Sequence, residues 1–351
     1  MGQYILKRLL LIIPTLFLIL LTNFAIVQSA PGGPVEQKIA EIEQAQKQGA
    51  TQTQLSNPTT SYQGSRGLSP DMVDAIKQQY GFDKPAPERF WIMLTNYAKG
   101  DFGESFFKGK PVGQLIVEKM PVSISLGLWS TLLIYAIAIP LGIAKAIRHN
   151  SLMDKTTALL LAVSYAIPVF VLAVVLLVLF AGGSYWQIFP LQGLVSENFD
   201  KLSALGKIKD YFWHLALPLV ASTIGGFAGL AYLTKFSFME ELNKQYVLTA
   251  RSKGLTERRV LYGHVFRNAM LIIIAGLPSA IVGIFFTGNF LIEVIFNLDG
   301  LGRLGFEAIQ QRDYPVIFGT LFIFTLIGLI LQLISDVTYH LIDPRIDFEG
   351  R

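Results

Sequence analysis

Long apolar stretches constrain this chain more than any other feature of its sequence. A membrane-spanning helix needs about 20 mostly apolar residues, because that length crosses a hydrocarbon core about 30 Å thick. Stretches of this kind occur at residues 9–30, 122–146, 157–181, 215–234, 269–295 and 316–341. Only 15% of the residues are charged, against about 25% in an average soluble domain. The sequence therefore predicts an all-α fold, a polytopic membrane bundle of about six helices.

The first stretch has a second interpretation. It follows Lys7 and Arg8 and ends in Gln28-Ser29-Ala30, which is also typical of a cleaved secretory signal. Its apolar part is longer than the core of such a signal, which has about 7 to 15 residues, and more spans follow it. We therefore interpret residues 9–30 as an uncleaved first span.

Lysine and arginine in the connections indicate the orientation, because short loops that carry them resist translocation. These cations lie before the first span, between the second and third, and between the fourth and fifth, and they include Lys7, Arg8, Lys145, Arg148 and Lys155. All three positions fall on one side of the membrane. We expect that side to be cytoplasmic and both termini to lie on it.

The predicted organisation has four parts: residues 1–30 with the first span, the periplasmic segment 31–121, spans two to six at 122–341, and a cytoplasmic tail at 342–351. Within the periplasmic segment, residues 36–69 are rich in Gln, Ser, Thr and Gly. That composition predicts a short amphipathic helix followed by a mobile loop. Two hypotheses stay open for this insertion, a surface loop without chemistry and a contact with an external partner.

Prolines lie inside five of the spans, where each removes a backbone donor and tends to kink the helix. They are Pro14, Pro140, Pro168, Pro218 and Pro278. Kinks in lipid need neighbours that satisfy the freed carbonyls. This pattern favours a packed bundle over isolated anchors.

Several kinds of catalytic chemistry have no signature in this chain. It has no cysteine, no G-x-x-x-x-G-K-[ST] phosphate loop and no G-x-S-x-G elbow. No two of its histidines have the spacing of a helical zinc site, and these are His149, His214, His264 and His340. The sequence therefore predicts that this chain neither hydrolyses ATP through such a loop nor holds a metal centre.

The predicted cytoplasmic connection at residues 235–268 is unusually long and dense in helix-forming residues. Ser237 and Glu240 match a capping box, which predicts a helix start. Residues 245–253 then run helically to Gly254, which can adopt the left-handed conformation that ends a helix, and Leu255 can close that turn.

Another helix is predicted to open at Thr256, with Glu257 near its positive end. Its apolar face comprises Val260, Leu261, Val265 and Phe266. We call this helix–glycine–helix unit, residues 245–266, the knob. From its residues alone, the knob could be a solvated loop, a site for anionic lipid or a docking element for a soluble motor.

Acidic residues near the membrane are costly and therefore informative. Glu293 and Asp336 lie near predicted span ends, where water or a cation such as Arg303 or Arg345 could offset the cost. A structural role and a transport role both fit them.

Other polar residues could line a translocation pathway or could join helices by hydrogen bonds. With Glu293, the candidate pathway residues are Tyr232, Thr287 and Asn289.

Two motifs in the 235–268 connection point to a known family. Residues 246–255 read Tyr-Val-Leu-Thr-Ala-Arg-Ser-Lys-Gly-Leu, and residues 264–269 read His-Val-Phe-Arg-Asn-Ala. Together they resemble the coupling-loop signature of the dipeptide and oligopeptide ABC importer permeases. The broader importer pattern begins Glu-Ala-Ala where this chain has Leu248, Thr249 and Ala250, a departure that the peptide-importer branch shares.

The resemblance extends over nearly the whole chain. Further short stretches are also similar to the family, in the same order and spacing: residues 4–34, 100–105, 110–112, 293–296, 300–304, 312–315 and 343–346. The long segment after the first span and the ending at residues 346–351 look closest to the Yej-type branch. That branch imports peptides and the peptide-nucleotide antibiotic microcin C.

The resemblance implies the ABC type I importer permease fold and a location in the bacterial inner membrane. A second, similar permease would complete the translocation path, a periplasmic binding protein would deliver peptide, and ATPase subunits would bind ATP and Mg. It also implies that the ATPase grips the coupling loop at Thr249, Ala250, Arg251, Lys253, Gly254 and Leu255.

Two other classes of protein are alternatives to an ABC importer permease. A membrane-embedded enzyme needs convergent acids or histidines at mid-membrane depth, and the spans offer no such pair at helical spacing. A secondary transporter or channel would work without an ATPase, and the knob argues against it.

Overall fold

The computed structural model of the chain describes residues 2–29, 83–183, 185–286 and 290–342. Regular structure in these ranges is helical, apart from one isolated β-bridge between Glu104 and Pro111. The predicted all-α fold is confirmed. The insertion at residues 36–69 and nearly all of the tail at 342–351 lie outside the described residues.

The helices are numbered here in chain order over the described ranges. They are α1 (Gly2–Ser29), α2 (Ala86–Ala98), α3 (Val112–Ile147), α4 (Leu152–Ala166), α5 (Val169–Phe180), α6 (Ala204–Ile224), α7 (Gly226–Leu242), α8 (Gln245–Ser252), α9 (Glu257–Val260), α10 (Phe266–Phe286), α11 (Phe290–Ile295), α12 (Leu301–Gln311) and α13 (Tyr314–Ile342). A 3₁₀ turn at Phe199–Lys201 precedes α6, and a π-helical turn at Leu261–Val265 joins α9 to α10.

Four helical stretches are long and apolar enough to cross a membrane, at Gly2–Ser29, Val112–Ile147, Glu257–Ile284 and Tyr314–Thr338. Two more qualify only as bent pairs: α4 with α5, bent by 93°, and α6 with α7, bent by 52°. If each bent pair is one span, the described residues hold six spans, as predicted. The fifth candidate span ends at Ile284, whereas the sequence predicted a span at 269–295.

Of the five prolines predicted to kink spans, Pro168 lies at a break. It is the N-cap residue of α5, at the sharper of the two bends. Since proline has no N–H, the hydrogen-bond ladder of α4 cannot pass through it. The gentler bend lies at Gly225. Helices continue through the other four, Pro14, Pro140, Pro218 and Pro278.

The chain divides into two compact units. The first comprises Met1–Arg8, Lys119–Leu304 and Ile327–Arg351. Its apolar clusters include one in which α4 packs against α3 and α7, through Ala138, Leu161, Ala228 and Ala231. A second joins α3, α5, α6 and α11, through residues that include Leu126, Ala173, Leu215 and Ile292.

The second unit comprises Leu9–Glu118 and Gly305–Leu326. Its apolar core consists of Leu20, Phe24, Phe90, Tyr97 and Phe318. Aromatic rings dominate this core, and the Phe24 and Phe90 centroids lie 5.2 Å apart. Burial raises the pKa of the Tyr97 phenol, so this side chain stays protonated.

The Gly100–Ser105 motif forms a turn within the second unit. The Asp101 carboxylate accepts the Gly103 N–H at 2.9 Å, and the Ser105 hydroxyl donates to Asp313. Lys108 and Glu307 form an ion pair at 2.8 Å nearby. Residues 100–112, which carried part of the family resemblance, therefore serve to hold this unit together.

Candidate functional site

The predicted helix end at Gly254 is confirmed. α8 ends before Lys253, and Gly254 has φ = +78°. The Gly254 N–H donates to the Arg251 carbonyl at 2.9 Å, and the Leu255 N–H donates to the Ala250 carbonyl at 3.3 Å. This pair of bonds is a Schellman motif, which requires a left-handed residue at the glycine position. The turn therefore satisfies carbonyls that the end of α8 leaves free.

A second helix opens directly after the turn, as predicted. Thr256 is the N-cap residue of α9 and has extended φ and ψ angles of −64° and 147°. Glu257 lies in the first turn, where a carboxylate interacts favourably with the positive helix end. The chain then passes through the π-helical turn Leu261–Val265 into α10. The sequence analysis did not predict the π-helical turn.

One buried apolar cluster, the knob core, fastens the knob to neighbouring helices. The knob contributes Val247, Ala250, Val260 and Val265, and Leu255, Leu261 and Phe266 pack against them. From outside the knob come Ile143 and Ala146 on α3, Phe238 on α7 and Ala269 on α10. The apolar face predicted for residues 260–266 is confirmed.

Ion pairs and hydrogen bonds brace the knob at its surface. Arg251 donates two hydrogen bonds to the Glu257 carboxylate, at 2.9 and 3.0 Å, and so bridges the glycine turn. The Tyr246 hydroxyl donates to Glu241 at 2.6 Å. Burial, with this hydrogen bond, raises the pKa of Tyr246, so the phenol keeps its proton. A hydrogen bond to Glu241 likewise raises the pKa of Lys244.

The capping box predicted at Ser237 and Glu240 is wrong. Both residues lie inside α7, which continues to Leu242. The Ser237 hydroxyl donates to the Ala269 carbonyl of α10 at 2.7 Å. Since α7 packs along α10 here, the side chain joins two helices and does not start one.

The residues predicted to couple to an ATPase fall on one short stretch, and they differ in exposure. Thr249, Arg251, Lys253 and Gly254 are exposed. Ala250 is buried in the knob core, and Leu255 packs against that core. The stretch therefore has an outer face that a partner can reach and an inner face that anchors it. Leu248, 57% exposed, adds an apolar group to the outer face.

Glu293, a candidate pathway residue, is fully buried and caps a helix. Its carboxylate accepts the Arg303 N–H at 2.7 Å and the Ser123 hydroxyl at 2.7 Å. The same hydroxyl accepts the Leu301 N–H at 2.8 Å. These amides belong to the first turn of α12, where a helix attracts negative charge. A backbone N–H of Arg303 and the Ser123 hydroxyl thus stabilise the carboxylate, a contribution that the sequence did not indicate.

Asp336 lies beside a cation, as expected, and this cation is Arg8. The Tyr4 hydroxyl donates to its carboxylate at 2.7 Å, and the Arg8 guanidinium lies 3.4 Å away. Arg345, one of the cations that the sequence offered for this role, lies outside the described residues. Asp336 therefore ties the first turns of α1 to α13 within the first unit.

The other pathway candidates remain predictions. Thr287 and Asn289 lie outside the described residues. The Tyr232 ring packs beside Phe236, and the Lys145 ammonium lies 5.7 Å from the centre of the Tyr232 ring. Among the contacts of the described residues, none joins Tyr232 to Glu293.

A buried ion cluster on three helices was missed by the sequence analysis. The Lys235 ammonium of α7 lies 2.9 and 2.8 Å from the two carboxylate oxygens of Asp154 on α4. The Lys145 ammonium of α3 lies 3.0 Å from the same carboxylate and is fully buried. Lys145 also donates to the Asp154 carbonyl and the Thr157 hydroxyl, each at 2.8 Å. The one sequence signal was a lysine at the end of an apolar stretch, interpreted only as a topology signal.

The fold and the site define a class: a multi-pass helical membrane protein in which an anchored knob leads into one of the candidate spans. Residues 138–348 match the family model described as "Binding-protein-dependent transport system inner membrane component". The chain belongs to this family. It is therefore an ABC transporter permease of the inner membrane, a transport subunit and not an enzyme, and the family prediction is confirmed.

Full-length relatives are similar throughout. The chain is 54% identical over 364 residues to the inner membrane ABC transporter permease protein YejB of Escherichia coli O157:H7, covering 100% of both. It is 52% identical over 362 residues to the peptidoglycan transport system permease protein YejB of Agrobacterium fabrum, again covering 100% of both. The dipeptide transport system permease protein DppB of Escherichia coli K12 is 30% identical, with 99% of each chain covered.

Among solved structures, inward-facing conformations of the MetNI methionine ABC transporter align with a TM-score of 0.48 and 12% identity. The alignment covers 65% of this chain and 96% of that chain.

Proposed function

We propose that this chain is one permease subunit of an ATP-driven importer of oligopeptides. The observation that carries the proposal is the knob, whose outer face is exposed and whose inner face is buried against α3, α7 and α10. A soluble motor that holds such an element can move the helices to which it is fastened. The relatives include a dipeptide permease and a peptidoglycan permease, which supports the substrate class.

The outer face of the knob is the surface that docks on the ATPase. Thr249, Arg251 and Lys253 supply polar and basic groups for that contact, and Gly254 fixes the turn between them. Ala250 and Leu255 act from the inner face by holding α8 and the turn on the knob core. The Arg251–Glu257 pair keeps the two short helices in one arrangement across the turn.

The complete importer needs further chains. A second, homologous permease encloses the translocation path together with this one, and a periplasmic binding protein delivers the peptide. ATP and Mg are bound by separate ATPase subunits. This chain converts their movement into a change of access and performs no covalent chemistry.

Both termini and the knob lie on the cytoplasmic side in this proposal, and residues 31–121 lie in the periplasm. The asymmetry of lysine and arginine supports this orientation.

The candidate pathway residues remain Tyr232, Thr287, Asn289 and Glu293. Because Glu293 forms the buried cap of α12, its first role in this proposal is structural.

The substrates we propose are oligopeptides, with microcin C among them because of the similarity to the Yej-type branch. Peptide-containing fragments of peptidoglycan are further candidates, since the Agrobacterium relative is named for peptidoglycan transport.

Purification from the native host in mild detergent tests the assignment. We expect a second permease and an ATPase to co-purify with the tagged chain. Reconstituted vesicles that hold this complex should take up labelled peptide only when ATP and the binding protein are present. Vesicles that hold the ATPase but receive a non-hydrolysable nucleotide are the control. If the chain alone moved peptide without ATP, it would be a secondary transporter or channel.

A further inference from the structure

Within the described ranges, the ion cluster around Asp154 is a buried polar feature that the proposed function does not use. The Asp154 side chain is 6% exposed, and Lys145 and Lys235 are 0% and 9% exposed. One carboxylate thus faces two ammonium groups away from water, and Nδ1 of the more exposed His149 lies 3.4 Å from it. The Asp154 carboxylate also accepts the Asn150 N–H at 3.1 Å, and its own N–H donates to Ser151 at 3.2 Å.

Both lysines lie on the helices that hold the knob. Lys145 lies between Ile143 and Ala146 on α3, and these two residues are part of the knob core. On α7, Lys235 lies three residues before Phe238, which is fully buried in the same core. Any movement of the knob core therefore acts on both lysines within about one helical turn.

Asp154 belongs to a helix that is absent from the knob core. Within the described ranges, no residue of α4 contributes to that cluster. The apolar contact of α4 with α3 and α7 lies two turns further along, at Leu161. Asp154 is thus the charged connection between α4 and the knob-bearing helices in the described ranges. A weaker polar contact lies further along α4, where the Tyr232 hydroxyl donates to the Ala158 carbonyl at 3.5 Å.

Stability alone does not account for this arrangement. Buried ion pairs are often no more stabilising than apolar residues of similar volume, because the charges lose their hydration. What such a pair adds is a directional connection, whereas apolar contacts are non-directional. Asp154 contacts both lysines at 2.8–3.0 Å, so α3, α4 and α7 are held in one register.

We infer that Asp154 is a positioning residue for transport, which fastens α4 to the two helices that bear the knob. A push on the knob then moves the bent pair α4–α5 together with α3 and α7. The inference rests on the proposed function, in which an ATPase supplies that push.

The test is Asp154→Asn in the reconstituted complex, with Lys155→Met as the matched control at the next, exposed position. The measured quantity is peptide transported per ATP hydrolysed. We expect it to fall about tenfold or more in Asp154→Asn, while the ATPase still co-purifies and hydrolyses ATP. Lys155→Met should leave the ratio unchanged. A purely structural role would lower assembly, hydrolysis and transport together.

A second variant covers the case in which Asp154→Asn fails to assemble. Lys235→Met leaves the Lys145 ammonium opposite the Asp154 carboxylate, so we expect this variant to fold. The amount of peptide transported per ATP hydrolysed should fall about threefold. If either variant assembled and transported as much peptide per ATP as the unaltered chain, the inference about Asp154 would be overturned. The proposed function would not be affected by that result. If no ATPase accompanied the unaltered chain, the proposed function would fail first, and the inference with it.

Discussion

Replacing Gly254 with valine is expected to uncouple ATP hydrolysis from peptide uptake. Gly254 has φ = +78°, where a residue with a side chain is strained by roughly 1–2 kcal/mol and a β-branched one by more. Apart from Gly254 itself and its two chain neighbours, no residue has an atom within 4 Å of the position that a Cβ would occupy, so the cost comes from the local backbone and not from a tertiary clash. Relief of that strain moves α9 and Leu255 away from their present places.

The matched variant is Gly254→Asn, because asparagine tolerates the left-handed conformation better than other residues. We expect uptake to fall about tenfold or more in Gly254→Val and to stay near the unaltered level in Gly254→Asn. Uptake and ATP hydrolysis are measured on the same vesicles. Equal uptake by the two variants would show that the conformation of the turn has no part in coupling.

The second large effect is expected at Gly300, which lies against the buried cap of α12. A Cβ at this position would lie 2.6 Å from Oε2 of Glu293, and that carboxylate is held by Ser123 and the Arg303 N–H. Because the carboxylate cannot move without losing these bonds, Gly300→Ala should destabilise the protein by about 2–3 kcal/mol. Glu293→Ala removes the acceptor itself and should cost about 3 kcal/mol.

Thermal unfolding of the detergent-solubilised protein measures both changes. Glu257→Ala is the control, since Glu257 also accepts two hydrogen bonds but is 74% exposed. Exposed ion pairs contribute about 0–1 kcal/mol to stability, so the unfolding temperature of this variant should stay near that of the unaltered protein. If Glu293→Ala unfolded at the unaltered midpoint and lost only transport, Glu293 would be a pathway residue and not a structural one.

Features encoded by neighbouring residues were predictable from the sequence. The glycine that ends α8 and the helix start at Thr256 depend on residues a few positions apart, and both predictions are confirmed. The apolar stretches likewise predicted the spans, since hydropathy over about 20 residues is sufficient for that purpose. The bend at Pro168 was predictable because proline has no N–H, whereas the bend at Gly225 carried no comparable signal.

Features made by distant residues were not predictable. Asp154 and Lys235 are 81 positions apart, and only the packing of α4 on α7 brings them together. Ser237 has the local sequence of a helix start, but its hydroxyl finds the Ala269 carbonyl of another helix. For Glu293, the sequence did not indicate that helix amides would satisfy the carboxylate, because the start of α12 reaches it only in the folded chain. In each case tertiary packing decided the partner.

Cross-linking from the knob tests the central claim most directly. Since the chain has no cysteine, Leu248→Cys introduces one reactive site on α8, where Leu248 is 57% exposed. Leu205→Cys is the control, because Leu205 is 81% exposed and is predicted to lie on the opposite side of the membrane. The account predicts a cross-link to the ATPase from position 248 and none from position 205. A complex that contains the ATPase but gives no cross-link from 248, or gives one from 205, would contradict it.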